Sequence, residues 1–203
     1  MSQILLVTTS PRGADSYSNQ VAQALVAKLQ AAAPGAKLVS RDFAEAPLPH
    51  VGKDYVVGRT LPVDQRSAAQ ATSVALSDAL IAELFASDTI VIASPMYNFG
   101  VPSTLKAWID HLARAGHTFA YGANGPTGLV TGKKVYLVVA RGGVYSEGPM
   151  SGHNFQEPYL RTVLGFLGMT DVELIAVEGI AFGPEATEKA VDGALGKVAA
   201  LAA

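Results

Sequence analysis

One loop carries more chemically useful side chains than a plain connection between two elements needs. It spans Ser94–Pro102, directly after a short apolar segment and directly before a helical pattern. Tyr97 and Phe99 offer ring faces, and Asn98 between them offers an amide that can both donate and accept hydrogen bonds. Gly100 lets a ligand approach the backbone. Because a flat, partly apolar bed with a few polar partners suits a ring system, this loop predicts a site for a planar heteroaromatic ligand.

A second loop is rich in hydroxyl groups and leads into a helical pattern. It follows the first apolar segment of the chain and contains Ser10, Ser16 and Ser18. The first N–H groups of a helix are free and carry partial positive charge, so these hydroxyls and amides together could hold a phosphate without a lysine. The plain alternative is that Ser16 or Ser18 only caps the helix. The loop lacks both the G-x-x-x-x-G-K-[ST] and the G-x-G-x-x-G patterns, which disfavours ATP and a dinucleotide and leaves a mononucleotide phosphate.

A third loop, Ala140–Pro149, begins with an Arg-Gly-Gly sequence after another apolar segment. Gly142 and Gly143 permit a positive φ and a close approach, so that their amides can meet an acceptor such as the N1/O2 edge of a flavin. An ordinary turn explains these two glycines about as well. Together the three loops predict a planar ring and a mononucleotide phosphate, a combination that flavin mononucleotide (FMN) provides.

These loops are predicted to lie at the carboxyl ends of neighbouring parallel strands, the edge at which ligands of such sheets bind. Apolar strands that alternate with helices predict a doubly wound α/β fold, a five-stranded parallel sheet of flavodoxin-like order 2-1-3-4-5, in a single domain over residues 1–203. The predicted strands are Ile4–Val7, Lys37–Phe43, Thr89–Ala93, Val135–Ala140 and Val172–Val177. The predicted helices are Ser18–Leu29, Gln65–Phe85, Ser103–Arg114 and a final one after Pro184.

Two segments exceed what this minimal fold needs. Pro47–Pro62 is predicted to be a long loop that contains Tyr55 and Arg59, and loops of this length usually bind a ligand or are disordered. His117–Pro126 follows the third predicted helix and predicts an inserted β-hairpin, with Asn124-Gly125 as its tight turn.

Composition and charge exclude several classes of function. A formal net charge of -2 and 15 scattered Lys and Arg residues give no surface for nucleic acid or an anionic membrane. The absence of cysteine removes disulfides, thiolate metal sites and thiol nucleophiles, so redox chemistry must come from a cofactor. The 4 His residues show no metal-ligand spacing, and no metal is expected. Without a signal peptide or an apolar stretch of about 18 residues, the chain is expected to be cytoplasmic.

The three loops and several further segments resemble the FMN-dependent NADH azoreductases, which are also quinone reductases. The further segments are Leu105–Trp108, Ala113–Gly116, Thr118–Phe119, Gly128–Lys134 and Glu178–Ile180. The resemblance implies bound FMN, NADH or NADPH as the hydride donor, and quinones or azo compounds as acceptors. It implies FMN contacts at Ser10, Ser16, Tyr17, Ser18, Met96, Tyr97, Asn98, Phe99, Ala140, Arg141, Gly142 and Gly143. Several relatives have a small polar residue at Tyr17 and serine at Ala140, so backbone hydrogen bonds must replace side-chain ones there.

By the same resemblance FMN carries the chemistry, and no catalytic side chain is expected. A hydride passes from the nicotinamide to flavin N5, and the acceptor then takes the place of the nicotinamide. Phe119, Tyr121 and Phe166 are candidates to enclose a flat acceptor, and Arg59 to meet a charged substrate or the nucleotide; the plain alternatives are core aromatics and a solvated arginine. The inserted hairpin and the resemblance together predict an active homodimer.

Two other classes of function stay open at the level of the sequence. A flavodoxin-type electron carrier would bind FMN without a small-molecule substrate of its own, but it should be shorter and acidic around the flavin edge. A hydrolase acting on a phosphorylated substrate in the serine loop would need a nucleophile and a base, and neither is evident.

Overall fold

A five-stranded parallel sheet forms the centre of the molecule in the computed structural model, which describes residues 2–201. The strands are β1 (Gln3–Thr8), β2 (Lys37–Asp42), β3 (Thr89–Pro95), β4 (Phe119–Gly122), β5 (Gly125–Gly128), β6 (Lys134–Arg141) and β7 (Asp171–Glu178). The sheet order is β2-β1-β3-β6-β7, while β4 and β5 form a separate hairpin. Without the hairpin this is the order 2-1-3-4-5, so the predicted fold class is confirmed.

Helices connect the strands and cover both faces of the sheet. They are α1 (Tyr17–Ala32), α2 (Lys53–Gly58), α3 (Ala68–Ala86), α4 (Ser103–Leu112), α5 (Gln156–Leu167) and α6 (Pro184–Ala200). The Ser16 hydroxyl caps α1 by accepting a hydrogen bond from Asn19 N, and Ser67 with Gln70 forms a capping box at α3. The sequence patterns did not delimit α5, although a parallel crossover from β6 to β7 calls for it. None of the helices within residues 2–201 is long and apolar enough to cross a membrane.

The central strands are buried on both faces because successive side chains enter two different apolar clusters. In β1, Leu5 and Val7 join the cluster under α3, α4 and α5, whereas Ile4 and Leu6 join the cluster under α1 and α6. This explains why the strands were visible in the sequence as continuous apolar runs.

The segment from Pro47 to Pro62 is not the unstructured loop that the sequence predicted, because it contains α2. Tyr55 is only 3% exposed, and its hydroxyl lies 3.3 Å from that of Ser77 on α3. Gly58 sits so close to α3 that an added Cβ would lie 2.9 Å from Gln70 Cβ. The missing side chain of Gly58 therefore allows the short helix to dock.

The inserted hairpin is confirmed, but its turn differs from the predicted one. Gly122 pairs with Gly125, so the turn residues are Ala123 and Asn124 rather than Asn124-Gly125. Gly125 has a φ of 96° and takes part in the second strand instead. The base of the hairpin is fixed to the end of α5, because Val130 N donates to Leu167 O at 2.9 Å.

Candidate functional site

The three loops singled out in the sequence lie at one edge of the sheet. They follow β1, β3 and β6, which are adjacent parallel strands, so all three begin at the same carboxyl edge. The loop after β3 and the glycine loop after β6 are joined directly, since Met96 N donates to Ala140 O at 2.8 Å. This main-chain hydrogen bond ties the beginnings of these two loops together.

The serine loop places three hydroxyl groups in a confined space at the start of α1. Ser10, Ser16 and Ser18 are at most 3% exposed, and the hydroxyl oxygens of Ser16 and Ser18 lie 3.1 Å apart. The Ser16 hydroxyl does cap the helix, as the plain alternative held, but its contact with Ser18 goes beyond a cap. Hydroxyls clustered beside the free amides of a helix start suit a phosphate.

Tyr17 lies between Ser16 and Ser18 and is only partly buried. The guanidinium carbon of Arg12 stands 5.4 Å from the centre of its ring. This cation–π contact holds the Arg12 guanidinium against the Tyr17 ring. The sequence argument proposed a cradle without a lysine and did not consider Arg12, which the structure places on Tyr17 of the same loop.

The loop after β3 makes a tight turn with strained backbone. Tyr97 and Gly100 exchange backbone hydrogen bonds of 3.0 and 2.9 Å, while Asn98 and Phe99 have φ values of 46° and 68°. Left-handed backbone is unfavourable for a phenylalanine and concentrates at functional sites. The turn leaves the rings of Tyr97 and Phe99 partly exposed, at 46% and 39%, above the sheet edge.

The glycine loop after β6 is held from one side by the segment that follows β7. The carbonyl groups of Arg141, Gly142 and Gly143 accept hydrogen bonds from three consecutive amides, those of Ile180, Ala181 and Gly179 respectively, at 3.0 to 3.4 Å. Within residues 2–201, the amides of Gly142 and Gly143 have no backbone acceptor. They are the groups of this loop that can meet a ligand.

Sequence reasoning assigned no role to the segment after β7. The available signal was Gly179 directly after the strand, where the backbone has a φ of 81°. Only a glycine adopts that conformation easily, so its position marked a shaped turn rather than a plain connection.

Arg141 differs from its neighbours in the glycine loop, because its side chain faces the interior. It is fully buried, and its Nη1 donates to Glu178 Oε1 at 2.8 Å. Only the main chain of Arg141 is placed to meet a ligand. Burial raises the pKa of Glu178, but hydrogen bonds from Ser146, Arg141 and the amide of Tyr145 outweigh it, so the pKa is lowered.

Three of the four candidate substrate residues line one cleft of about 320 Å³ beside the hairpin. They are Arg59, Phe119 and Tyr121, and the fourth, Phe166, packs on Phe119 with 4.5 Å between ring centres. Phe119 is only 8% exposed and is also part of the core, whereas Tyr121 is 74% exposed.

The same cleft contains a second arginine that the sequence argument did not select. Arg114 is 6% exposed, and its Nη1 lies 2.6 Å from Asp78 Oδ1. The sequence signal was its place in the Ala113–Gly116 segment. Because Asp78 pairs with Arg114, the positive charge of this cleft comes from Arg59, and it suits an anionic group on a flat molecule.

The residues at the sheet edge fit FMN. Buried hydroxyls at a helix start suit its phosphate, glycine amides without a backbone acceptor suit its polar edge, and a turn bearing two exposed rings suits its plane. No group of three or more His, Asp or Glu residues within residues 2–201 is arranged to hold a metal.

Fold and site together define a flavodoxin-like protein with a mononucleotide site. Comparison with known proteins agrees, because a family model described as a flavodoxin-like fold matches residues 2–202. An FMN-dependent NADH:quinone oxidoreductase of Agrobacterium fabrum is 54% identical, over 100% of this chain and 98% of its own. One from Mesorhizobium japonicum is 53% identical over 98% and 95%. The crystal structure of an azoreductase from Bacillus anthracis superposes with a TM-score of 0.91, at 32% identity over 98% of this chain and 97% of its own.

The chain therefore belongs to the flavodoxin-like family of the FMN-dependent NADH:quinone oxidoreductases. The resemblance inferred from the loop sequences is confirmed.

Proposed function

We propose that this protein is an FMN-dependent oxidoreductase that uses NADH to reduce quinones and azo compounds in two steps. The observation that carries the proposal is the meeting of the serine cluster, the strained turn and the glycine amides at one sheet edge, in a chain 53–54% identical to named NADH:quinone oxidoreductases. Bound FMN would supply the redox chemistry, taking a hydride from the nicotinamide and later giving two electrons to the acceptor.

The chain itself binds and orients the reactants. Ser10, Ser16 and Ser18 would hold the phosphate with the first amides of α1, and Tyr17, whose ring contacts Arg12, lies between two of these serines. Gly142 and Gly143 direct their amides at the polar edge of the ring, where they stabilise the negative charge of the reduced form. The remaining proposed contacts support the plane of the flavin ring. They come from Met96, Tyr97, Asn98, Phe99, Ala140 and the main chain of Arg141.

The cleft beside the hairpin would serve the acceptor in a dimer, since it lies by the end of α5 whereas the ring-binding loops lie by its start. Phe119 and Phe166 provide a fixed apolar wall, and Tyr121 provides an exposed ring that can close over a flat molecule. Arg59, whose guanidinium carbon lies 5.8 Å from the ring centre of Tyr55, supplies positive charge at the same cleft.

We further propose that the enzyme acts as a homodimer and that residues 1–203 form one domain. Support for one domain comes from the single parallel sheet, whose strands extend from Gln3 to Glu178. Support for the dimer comes from the exposed ring of Tyr121 on the inserted hairpin. The cytoplasmic location stays a prediction from the sequence.

Spectroscopy under nitrogen tests the proposal. The purified chain should be yellow, NADH should bleach it, and added quinone should restore the colour through many cycles without loss. Bleaching of one equivalent with no turnover on quinones or azo dyes would instead support an electron carrier. A colourless chain that takes up no FMN would contradict both.

A further inference from the structure

Strands β6 and β7 carry an oppositely charged pair at each end of their ladder. Lys134 is opposite Asp171 at the amino edge, and Arg141 is opposite Glu178 at the carboxyl edge, where the three loops begin. The first pair is exposed, with side chains 33% and 67% accessible. The second is buried, at 0% and 11%. Only the buried pair lies at the candidate site.

The buried pair is part of a hydrogen-bonded bridge between the ring-binding loops. Gln156, the first residue of α5, accepts from Arg141 Nε at 3.1 Å and donates to Pro95 O at 2.9 Å. Glu178 Oε1 accepts from Arg141 Nη1 at 2.8 Å and from Tyr145 N at 2.9 Å. The bridge therefore extends from the start of the strained turn to the glycine loop.

Arg141 and Gln156 each make a pair of hydrogen bonds that a lysine, a carboxylate or an alkyl side chain could not make. A planar guanidinium can bond Glu178 through one nitrogen and Gln156 through another at fixed angles, which a single ammonium group cannot reproduce. An amide can accept from Arg141 and donate to Pro95 O at the same time, which neither a carboxylate nor an alkyl chain can do. Among residues 2–201, Arg141 Nη2 finds no hydrogen-bond partner, and it lies 3.8 Å from Glu157 Oε2, so the arrangement is not optimised for pairing alone.

Burying such a bridge is not an efficient way to stabilise a fold. Apolar side chains of similar volume often replace a buried ion pair without loss of stability, because the charges must first be removed from water. What an apolar replacement cannot reproduce is the fixed spacing between the Pro95 carbonyl and the Tyr145 amide.

We propose that Arg141 is a positioning residue, whose buried side chain acts through Gln156 and Glu178 to hold the turn after β3 and the glycine loop at the separation that FMN binding requires. This rests on the proposed FMN site, but it gives Arg141 a role that contact of its main chain with the ligand does not describe. Gln156 and Glu178 are positioning residues by the same argument.

The full chain, stripped of FMN and titrated with it, tests this through two substitutions and a control. Gln156→Glu keeps the acceptor for Arg141 but removes the donor to Pro95 O, so it should weaken FMN binding by about tenfold or more. The double variant with Arg141→Met and Glu178→Leu replaces the buried pair by apolar side chains and should melt, without FMN, near the wild-type temperature while binding FMN equally weakly. Lys134→Gln, which removes the exposed pair at the other end of the same strands, should bind as wild type does.

A second readout separates positioning from loss of fold. Bound flavin in Gln156→Glu should show an altered visible absorption spectrum, because the ring meets displaced amides, while Lys134→Gln leaves the spectrum unchanged. Wild-type affinity and spectrum in Gln156→Glu, or wild-type affinity in the folded double variant, would overturn the inference and leave the proposed function intact. Failure of the wild-type chain to bind FMN would overturn the proposed function itself.

Discussion

Asn98 and Phe99 show most directly how single residues build the candidate site. Both have left-handed backbone, with φ values of 46° and 68°, although neither is glycine. Asparagine tolerates this conformation better than other non-glycine residues, and phenylalanine does not. Phe99 is held nonetheless by ring contacts with Tyr145 at 6.2 Å and with His153 at 5.5 Å between ring centres. The ring contacts of Phe99 with the neighbouring loops thus help to hold the strained turn in place.

Two substitutions at Asn98 distinguish the role of its side-chain amide from the role of its left-handed backbone. Asn98→Ala and Asn98→Gly should both weaken FMN binding by about 1 to 3 kcal/mol if, as we expect, the Asn98 side-chain amide joins the Gly142 and Gly143 amides at the polar edge of the ring. Only the alanine variant should also melt at a lower temperature, since alanine resists a positive φ and glycine does not. Titration with FMN and thermal melting measure the two effects. Wild-type affinity in Asn98→Gly would show that the backbone, not the amide, makes the contact.

The phosphate cradle predicts a change in ligand preference rather than in overall stability. Ser18 is fully buried, so Ser18→Ala should lower FMN affinity by about 1 kcal/mol or more while the affinity for riboflavin, which has no phosphate, stays the same. Ser18→Glu should weaken FMN further through repulsion of the phosphate. Ser67→Ala is the matched control, because it removes the cap of α3 away from the site. An unchanged ratio of FMN to riboflavin affinity in Ser18→Ala would remove that hydroxyl from the cradle.

At the scale of elements, the sequence was sufficient wherever burial alone decides the structure. All five sheet strands were predicted to within two residues at each end. The central strands β1, β3 and β6 were evident because they are apolar on both faces, whereas the edge strand β2 is mostly exposed. The pattern of apolar strands also predicted that the three loops lie at one edge of the sheet, because the carboxyl ends of parallel strands lie at the same edge.

Where contacts across the fold decide the outcome, the sequence was insufficient. Helix α2 forms because Tyr55 and Gly58 dock on α3, and nothing within Pro47–Pro62 reveals that surface. The hairpin turn falls one residue earlier than Asn124-Gly125 because pairing along the whole hairpin sets its register. Arg141 was selected as a cofactor contact by resemblance, but its side-chain partners are 15 and 37 residues away in the chain.

The pair at the carboxyl ends of β6 and β7 predicts a pH effect. Its hydrogen bonds keep the pKa of Glu178 below the ordinary 4.5 despite burial. The contribution of the pair to stability is therefore complete above the pKa that Glu178 has in the unfolded chain. It is lost as the pH falls through the lower pKa that Glu178 has in the folded chain. Between about pH 6 and about pH 3, the melting temperature of wild type should fall more steeply than that of Glu178→Gln.

Asp171→Asn provides the comparison for that measurement, because it alters the exposed pair at the other end of the same two strands. Its melting curve should follow the wild-type pH dependence closely, since exposed ion pairs contribute little. Parallel pH profiles for wild type and Glu178→Gln would mean that the buried carboxylate does not couple to folding.

At the scale of the whole molecule, the placement of exposed aromatic rings indicates which surface would gain most by burial against a second copy of the chain. Tyr121 on the hairpin is 74% exposed, and it makes an edge-to-face contact with Phe119 in the positive cleft. A ring so exposed gains by burial against another surface, and aromatic residues are enriched at such interfaces. A symmetric dimer would apply the same contact twice and complete two equivalent sites.

This argument predicts that specific activity depends on concentration and on the hairpin. In a dilution series the activity per chain should fall as dimers separate, and sedimentation should show monomers over the same range. Tyr121→Glu should shift both transitions to higher concentration, because a buried carboxylate opposes association. Phe85→Glu, at a less exposed aromatic residue (39%) near the end of α3, should leave both unchanged. A wild-type monomer with full specific activity would show that each chain forms its whole site alone, and the role of Tyr121 would then be confined to its own cleft.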